Sequence, residues 1–172
     1  MKGLRKPGPS NRWEEGLASM KTSVIYLASD HAGFLLRGLI HRHLKANKYK
    51  VIDLGPGRKE SVDYPDFGVK LAMELRNDDR SCGIAICGSG VGISIAVNRF
   101  PWVRAALVGS LEAARLSRQH NDANVLVLGE RLIDPDLALA CVDKFLDTEF
   151  EGGRHQVRVD KLSTINTDDS NI

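Results

Sequence analysis

Residues 82–98 read CGIAICGSGVGISIAVN. A short apolar run, Gly83 to Ile86, stops at Cys87. Glycines then fall at alternate positions, 88, 90 and 92, before the chain turns apolar again at Ile93, Ile95, Ala96 and Val97. An apolar run of this length bounded by glycines suits a buried strand, and the renewed apolar pattern beyond them suits a helix. Strand, tight loop and helix make the repeating piece of an α/β sheet.

The alternation extends in both directions. SVIYLAS (23–29) has strand length, and AGFLLRGLIHRHLKANK (32–48) carries Leu36, Ile40 and Leu44 four apart, with Leu35 and Leu39 beside them, on an amphipathic helix. KVIDL (50–54) is a second strand. In VDYPDFGVKLAMELRN (62–77) the proline forces Tyr64 extended, so a helix begins near Pro65 and buries Phe67, Leu71 and Leu75. After GIAIC and its helix come VRAALV (103–108) as a strand, SLEAARLSRQH (110–120) as a helix and NVLVLG (124–129) as the fifth strand. DPDLALACVDKFLDTEF (134–150) has Asp134 as N-cap, Pro135 in the first turn and Leu139, Val142 and Leu146 as its core stripe. The strands show no polar alternation, so both faces of the sheet are covered. The expectation is an α/β three-layer sandwich: a five-stranded parallel, Rossmann-like sheet with helices on both faces and right-handed crossovers.

The chain has 172 residues, enough for one full core. Residues 1–20 lack a sustained period and read as a disordered leader, an appended remnant or the product of an upstream start, with Met20 as a natural start. Glu14 and Glu15 speak against a targeting peptide. One domain is expected over 21–165 and a flexible tail over 166–172. The net charge of +2 resides in the leader: without it 20 basic and 20 acidic residues remain. That balance excludes a nucleic-acid footprint, and no apolar run is long enough for a membrane helix. Three cysteines without paired spacing, and no secretory segment, point to a reducing cytoplasm, with Cys82 and Cys141 as small core residues.

In an open α/β sheet, ligands bind beyond the carboxyl ends of the strands. Asp30 and His31 follow the first strand, Cys87 closes the third and Ser89 follows it. The glycine spacing is G-x-G-x-G, so it fits neither the dinucleotide fingerprint nor a Walker A loop. What remains is a row of backbone N–H groups entering a helix, able to hold an anion or a developing oxyanion, or else a tight turn without a ligand. A thiol at such a place is favoured as the thiolate, a nucleophile or base, although a packing role stays open for Cys87. SRQHND groups Ser117, His120, Asn121 and Asp122, either a solvated helix end or an active-site loop. Arg154 and Arg158, four apart, share one side of a helix, suited to phosphate oxygens or to a solvated basic face. His41 and His43 point apart on their helix, and no Cys/His set has metal spacing, so neither a metal nor another cofactor is expected.

SDHAGF, VDYPDF, ICGSGVGISIAVN, SRQHND, NVLVLGER and FEGGRHQVR occur in the order seen in the type B ribose-5-phosphate isomerase family, to which galactose-6-phosphate isomerase subunits are related. The resemblance runs from about Met20 to about Ile165. It implies interconversion of ribose 5-phosphate and ribulose 5-phosphate through an enediolate, in the non-oxidative pentose phosphate pathway, without a cofactor. It implies Cys87 as the base, in the cysteine-using subgroup; the other subgroup has glycine there and glutamate at the position of Ile93. Ser89 and His120 match the ring-opening pair, and the amides of Gly88, Gly90, Val91 and Gly92 the enediolate site. Asp30, Tyr64 and Asn121 match sugar contacts; His31, Arg131, Arg154 and Arg158 match phosphate contacts. The resemblance further implies a homodimer with shared active sites, pairing in some members into tetramers, in which His120, Asn121 and Arg131 come from the neighbour of the chain that supplies Cys87. The competing readings are a hexose 6-phosphate isomerase (allose or galactose 6-phosphate), a non-catalytic sugar-phosphate sensor and a cysteine hydrolase. The last is disfavoured because His120 and Asp122, two apart, do not face each other on a helix.

Overall fold

The apolar runs pair into one sheet. The computed structural model describes residues 24–78 and 80–165. In it β1 (Val24–Ser29), β2 (Lys50–Asp53), β3 (Cys82–Cys87), β4 (Ala105–Leu107) and β5 (Val125–Gly129) lie in the order β2-β1-β3-β5-β4, all pairings parallel. The expected leader and tail lie outside the described residues.

The helices are α1 (Phe34–Ala46), α2 (Tyr64–Leu75), α3 (Val91–Val97), α4 (Leu111–Asn121), α5 (Pro135–Asp147) and α6 (Gln156–Ser163). Side chains alternate across a strand, which divides the core in two. Ile25, Leu27, Ile84, Ile86, Leu126 and Leu128 pack with α1, α4 and α5. Tyr26, Ala28, Ala85, Cys87, Val125 and Val127 pack with α2 and α3. This is the expected three-layer arrangement.

Leu36, Ile40 and Leu44 on α1 and Phe67, Leu71 and Leu75 on α2 are buried as expected, whereas Leu39 is only partly covered and Leu35 is 61 % exposed, on the side of α1 turned from the sheet. On α5 the stripe is rotated. Ala138, Cys141, Val142, Phe145 and Leu146 are buried, whereas Leu139 is only partly covered, because the bulky Phe145 turns that face inward. Asp134 caps α5 as expected, accepting from the Asp136 amide at 2.9 Å. Two elements are shorter than their apolar patterns. The Asn98 side chain accepts from the Ala105 amide at 2.9 Å and donates to the Ala105 carbonyl at 3.0 Å. It thereby ends α3 at Val97 and supplies the hydrogen bonds that the edge strand β4 lacks on its open side. Among the described residues no helix is long and apolar enough to cross a membrane.

Candidate active site

Because all strands are parallel, their carboxyl ends share one edge of the sheet. The register pairs Ser29 with Ile86 and Cys87 with Gly129, so the segments after β1, β3 and β5 emerge side by side. Asp30, His31, Tyr64, Cys87, Gly88, Ser89, Gly92 and Arg131 line a cleft of about 330 Å³ there. Eight of the expected site residues therefore meet.

Cys87 is buried, and the Gly90 amide donates to its Sγ at 3.1 Å. The geometry depends on Gly90: its φ is +77°, and a Cβ there would stand 2.4 Å from Leu107 Cδ1. The Val91 amide donates to Ser89 Oγ at 3.3 Å, holding the hydroxyl over the loop. At Gly92 a Cβ would lie 2.6 Å from Tyr64 Cζ, so only glycine lets that ring lie across the loop.

Asp30 is 5 % exposed, and its Oδ1 accepts from the amides of Ala32 and Gly33 at 2.9 and 3.0 Å. These bonds fix the 3₁₀ turn (His31–Gly33) that leads into α1. His31 Nδ1 lies against the Val62 backbone, 3.1 Å from its oxygen and 3.2 Å from its nitrogen, which leaves Nε2 for the cleft. The backbone after β5 zips onto the glycine loop, with the Glu130 amide donating to Cys87 O and the Arg131 amide to Gly88 O, each at 3.0 Å. The Arg131 side chain consequently packs over Gly88. This corrects the expectation that Arg131 comes from a neighbouring chain: it shares the cleft with Cys87 of its own chain, because both follow adjacent strands.

The other two thiols differ. Burial pushes the Cys82 thiol up to about 12, against a weaker opposite pull from Arg118, and burial also pushes up the Cys141 thiol. Cys141 is fully buried in the core, and Cys82 is partly buried against it.

His120, Asn121, Arg154 and Arg158 are not among the residues lining the cleft. His120 and Asn121 end α4, which leads into the amino end of β5. Cys87 pairs with the carboxyl end of that strand, four residues on, about 13 Å along it. The two groups thus occupy opposite edges of the sheet. Around His120 a second cluster forms. The His120 and His155 rings stack at 4.2 Å with 7° between planes. Glu151 Oε2 lies 3.9 Å from His120 Nε2 and 3.7 Å from His155 Nε2, and Arg154 Nε donates to His155 Nε2 at 3.3 Å. Burial, then His120 and Arg154, hold the His155 pKa below the usual histidine value, against the opposing pull of Glu151.

Donor atoms of His120, Glu151 and His155 lie within 4.8 Å of one another. Residue spacing could not show this grouping, since it joins α4 to a segment about thirty residues later. Its geometry does not suit a metal. A metal lies in the plane of each imidazole it binds, which two parallel stacked rings do not allow, and a guanidinium already occupies His155 Nε2. Glu151 and His155 are the site residues that sequence reasoning passed over. The signal present was their four-residue spacing within EGGRH.

A parallel sheet that presents a thiol, a hydroxyl, a carboxylate, an imidazole and a guanidinium in one small cleft defines an α/β protein built to act on a small anionic substrate. The chain belongs to the Ribose/Galactose Isomerase family, which it matches over residues 25–162. It is 47 % identical over 139 residues, 80 % of this chain and 91 % of the relative, to the probable ribose-5-phosphate isomerase B of Mycoplasma pneumoniae. The structure of ribose-5-phosphate isomerase B from Clostridium thermocellum is similar with a TM-score of 0.80 and 51 % identity, covering 81 % of this chain and 95 % of that one. The Mycoplasma genitalium enzyme, solved with bound ribulose-5-phosphate, is similar with a TM-score of 0.80 and 45 % identity, covering 83 % of this chain and 95 % of that one.

Proposed function

We propose that the chain interconverts ribose 5-phosphate and ribulose 5-phosphate through an enediolate, with Cys87 as the base. The observation that carries this reading is the amide-tethered Cys87 sulfur in a cleft shared with Ser89, Asp30, His31, Tyr64 and Arg131. Ring opening breaks the bond between C1 and the ring oxygen. The ring oxygen takes a proton from His120, and the C1 hydroxyl passes its proton by way of Ser89 to water, from which His120 is reprotonated, leaving an aldehyde. The Cys87 thiolate then removes the C2 proton, the electron pair forms the C1–C2 double bond, and negative charge collects on O1 beside the Gly88, Gly90, Val91 and Gly92 backbone. Transfer of the O2 proton to O1 and return of the proton from sulfur to C1 gives the ketone. No redox cofactor enters the balance. Asp30, Tyr64 and Asn121 hold sugar hydroxyls, and His31, Arg131, Arg154 and Arg158 clamp the phosphate.

Placement of Cys87 and His120 at opposite edges of the sheet supports a homodimer with shared sites, one copy supplying Cys87, His31 and Arg131 and the other His120, Asn121, Arg154 and Arg158. The activity is assigned to a single domain, residues 21–165. Three free thiols support a reducing, cytoplasmic setting. The test is Cys87→Ala. Turnover of ribose 5-phosphate is expected to fall by roughly 10²–10⁴, the usual worth of a general base. Exchange of the C2 proton with solvent should fall in step. Native turnover in this variant would assign the base elsewhere, and faster native turnover of allose or galactose 6-phosphate would replace the pentose substrate.

A further inference from the structure

We propose that Glu151 and His155 are positioning residues for His120, the His155 ring stacking on the His120 ring and the Glu151 carboxylate facing both Nε2 atoms, so that the imidazole is held ready to protonate a sugar ring oxygen. The proposal rests on the reading of His120 as the ring-opening acid. His120 lies in the last turn of α4, and its side chain is 35 % exposed. Neighbours for the ring come from the segment after α5. The Glu151 amide donates to the Gln119 carbonyl at 3.0 Å, pinning that segment to the last turn of α4. Gly152 and Gly153 follow with φ of +63° and +54°. A Cβ at either would meet nothing within 4 Å, so the backbone turn, not crowding, calls for glycine. The turn sends His155 back onto α4, where it is 6 % exposed and closed by its own amide donating to Gly152 O at 3.0 Å.

One face of the His120 ring is thereby covered by a buried aromatic neighbour. Arg154 donating to His155 Nε2 marks that ring as the neutral acceptor, so His155 supplies a surface rather than a second acid. Glu151 is the carboxylate facing the pair, and Arg154 and Arg158 are the cations beside it. Imidazole orientation matters because misplacing a reacting group by about 1 Å can cost about 10²-fold in rate.

The experiment compares Glu151→Gln, His155→Ala and His155→Phe in the full chain. With ribose 5-phosphate, kcat is expected to fall about 10- to 100-fold in His155→Ala. In His155→Phe, which keeps a stacked ring, most of kcat should return. Both His155 variants free Arg154, so any shared rise in KM reports the phosphate contact and separates from the kcat effect. Glu151→Gln, at a half-exposed site that tolerates the change, should lower kcat without unfolding the protein. In all three, exchange of the C1 proton of ribulose 5-phosphate with D₂O should stay within about twofold of the parent, because that step needs the base and no ring opening. Unchanged kcat in both Glu151→Gln and His155→Ala would overturn the proposal. So would exchange that falls in step with turnover, which marks a role in folding or assembly. Full turnover in His120→Ala would overturn the underlying reading as well, and so tells the two failures apart.

Discussion

Replacing Gly90 by alanine tests the geometry of the thiol loop directly. The residue has φ of +77°, and an added Cβ would stand 2.4 Å from Leu107 Cδ1, 3.0 Å from the Leu128 carbonyl carbon and 3.1 Å from the Gly129 nitrogen. Left-handed backbone costs an L-residue about 1–2 kcal/mol, and a methyl forced into a filled site about 1–3 kcal/mol. The sum is about 2–5 kcal/mol. At roughly 2–4 °C per kcal/mol for a domain of this size, Gly90→Ala should melt about 4–20 °C below the parent. Leu107 is 43 % exposed, so Leu107→Ala alone should cost little, and the Gly90→Ala/Leu107→Ala double variant should recover the side-chain part only. The conformational cost and the two backbone contacts remain. Thermal unfolding followed by circular dichroism reads all four proteins. Alanine keeps the backbone N–H that donates to Cys87 Sγ but displaces it as the loop relaxes around the added methyl, so turnover should fall by up to about 10-fold, the worth of a hydrogen bond of about 1 kcal/mol. A melting point within about 1 °C of the parent, well short of the shift expected for about 2–5 kcal/mol, or complete recovery in the double variant, would refute the reasoning.

Two further outcomes bear on the shared site. Mixing inactive Cys87→Ala and His120→Ala proteins under subunit exchange should restore about a quarter of parent activity, since half the dimers are mixed and each has one intact site; no recovery despite demonstrated exchange would place the whole site within one chain. Arg154→Ala and Arg158→Ala should each weaken substrate affinity and inhibition by inorganic phosphate about 10-fold or more, the worth of a charged hydrogen bond; unchanged phosphate inhibition in both would remove them from the phosphate site.

Residues close to the strand ends were legible because local rules place them. Cys87, Ser89, Asp30 and His31 follow strands whose length and apolar content could be read, and parallel topology sends every such residue to one edge. Arg131 follows β5 by the same rule, and its own-chain position was available from that rule; the resemblance had assigned it to a neighbour. The α5 stripe was misplaced at Leu139 because several rotations of an apolar helix satisfy the same spacing, and the one adopted depends on what Phe145 packs against. The ends of α3 and β4 were equally hidden. Both depend on the Asn98 amide meeting Ala105 across a loop, a contact between residues seven apart that no propensity encodes.

From sequence alone come the parallel α/β architecture, the thiol in its glycine loop and the balanced charge of the domain, since each depends on composition or on short-range spacing. Tertiary structure alone decided which groups meet. It brought His155 and Glu151 onto His120 from a segment about thirty residues away, through a two-glycine turn and one hydrogen bond to Gln119. It also set His120 and Cys87 at opposite edges of the sheet, beyond opposite ends of β5, which are about 13 Å apart. The reason is physical: strand and helix periods are properties of neighbouring residues, whereas the distance between two side chains depends on the order in which strands pair, here β2-β1-β3-β5-β4, and that order is settled only when both faces of the sheet are buried.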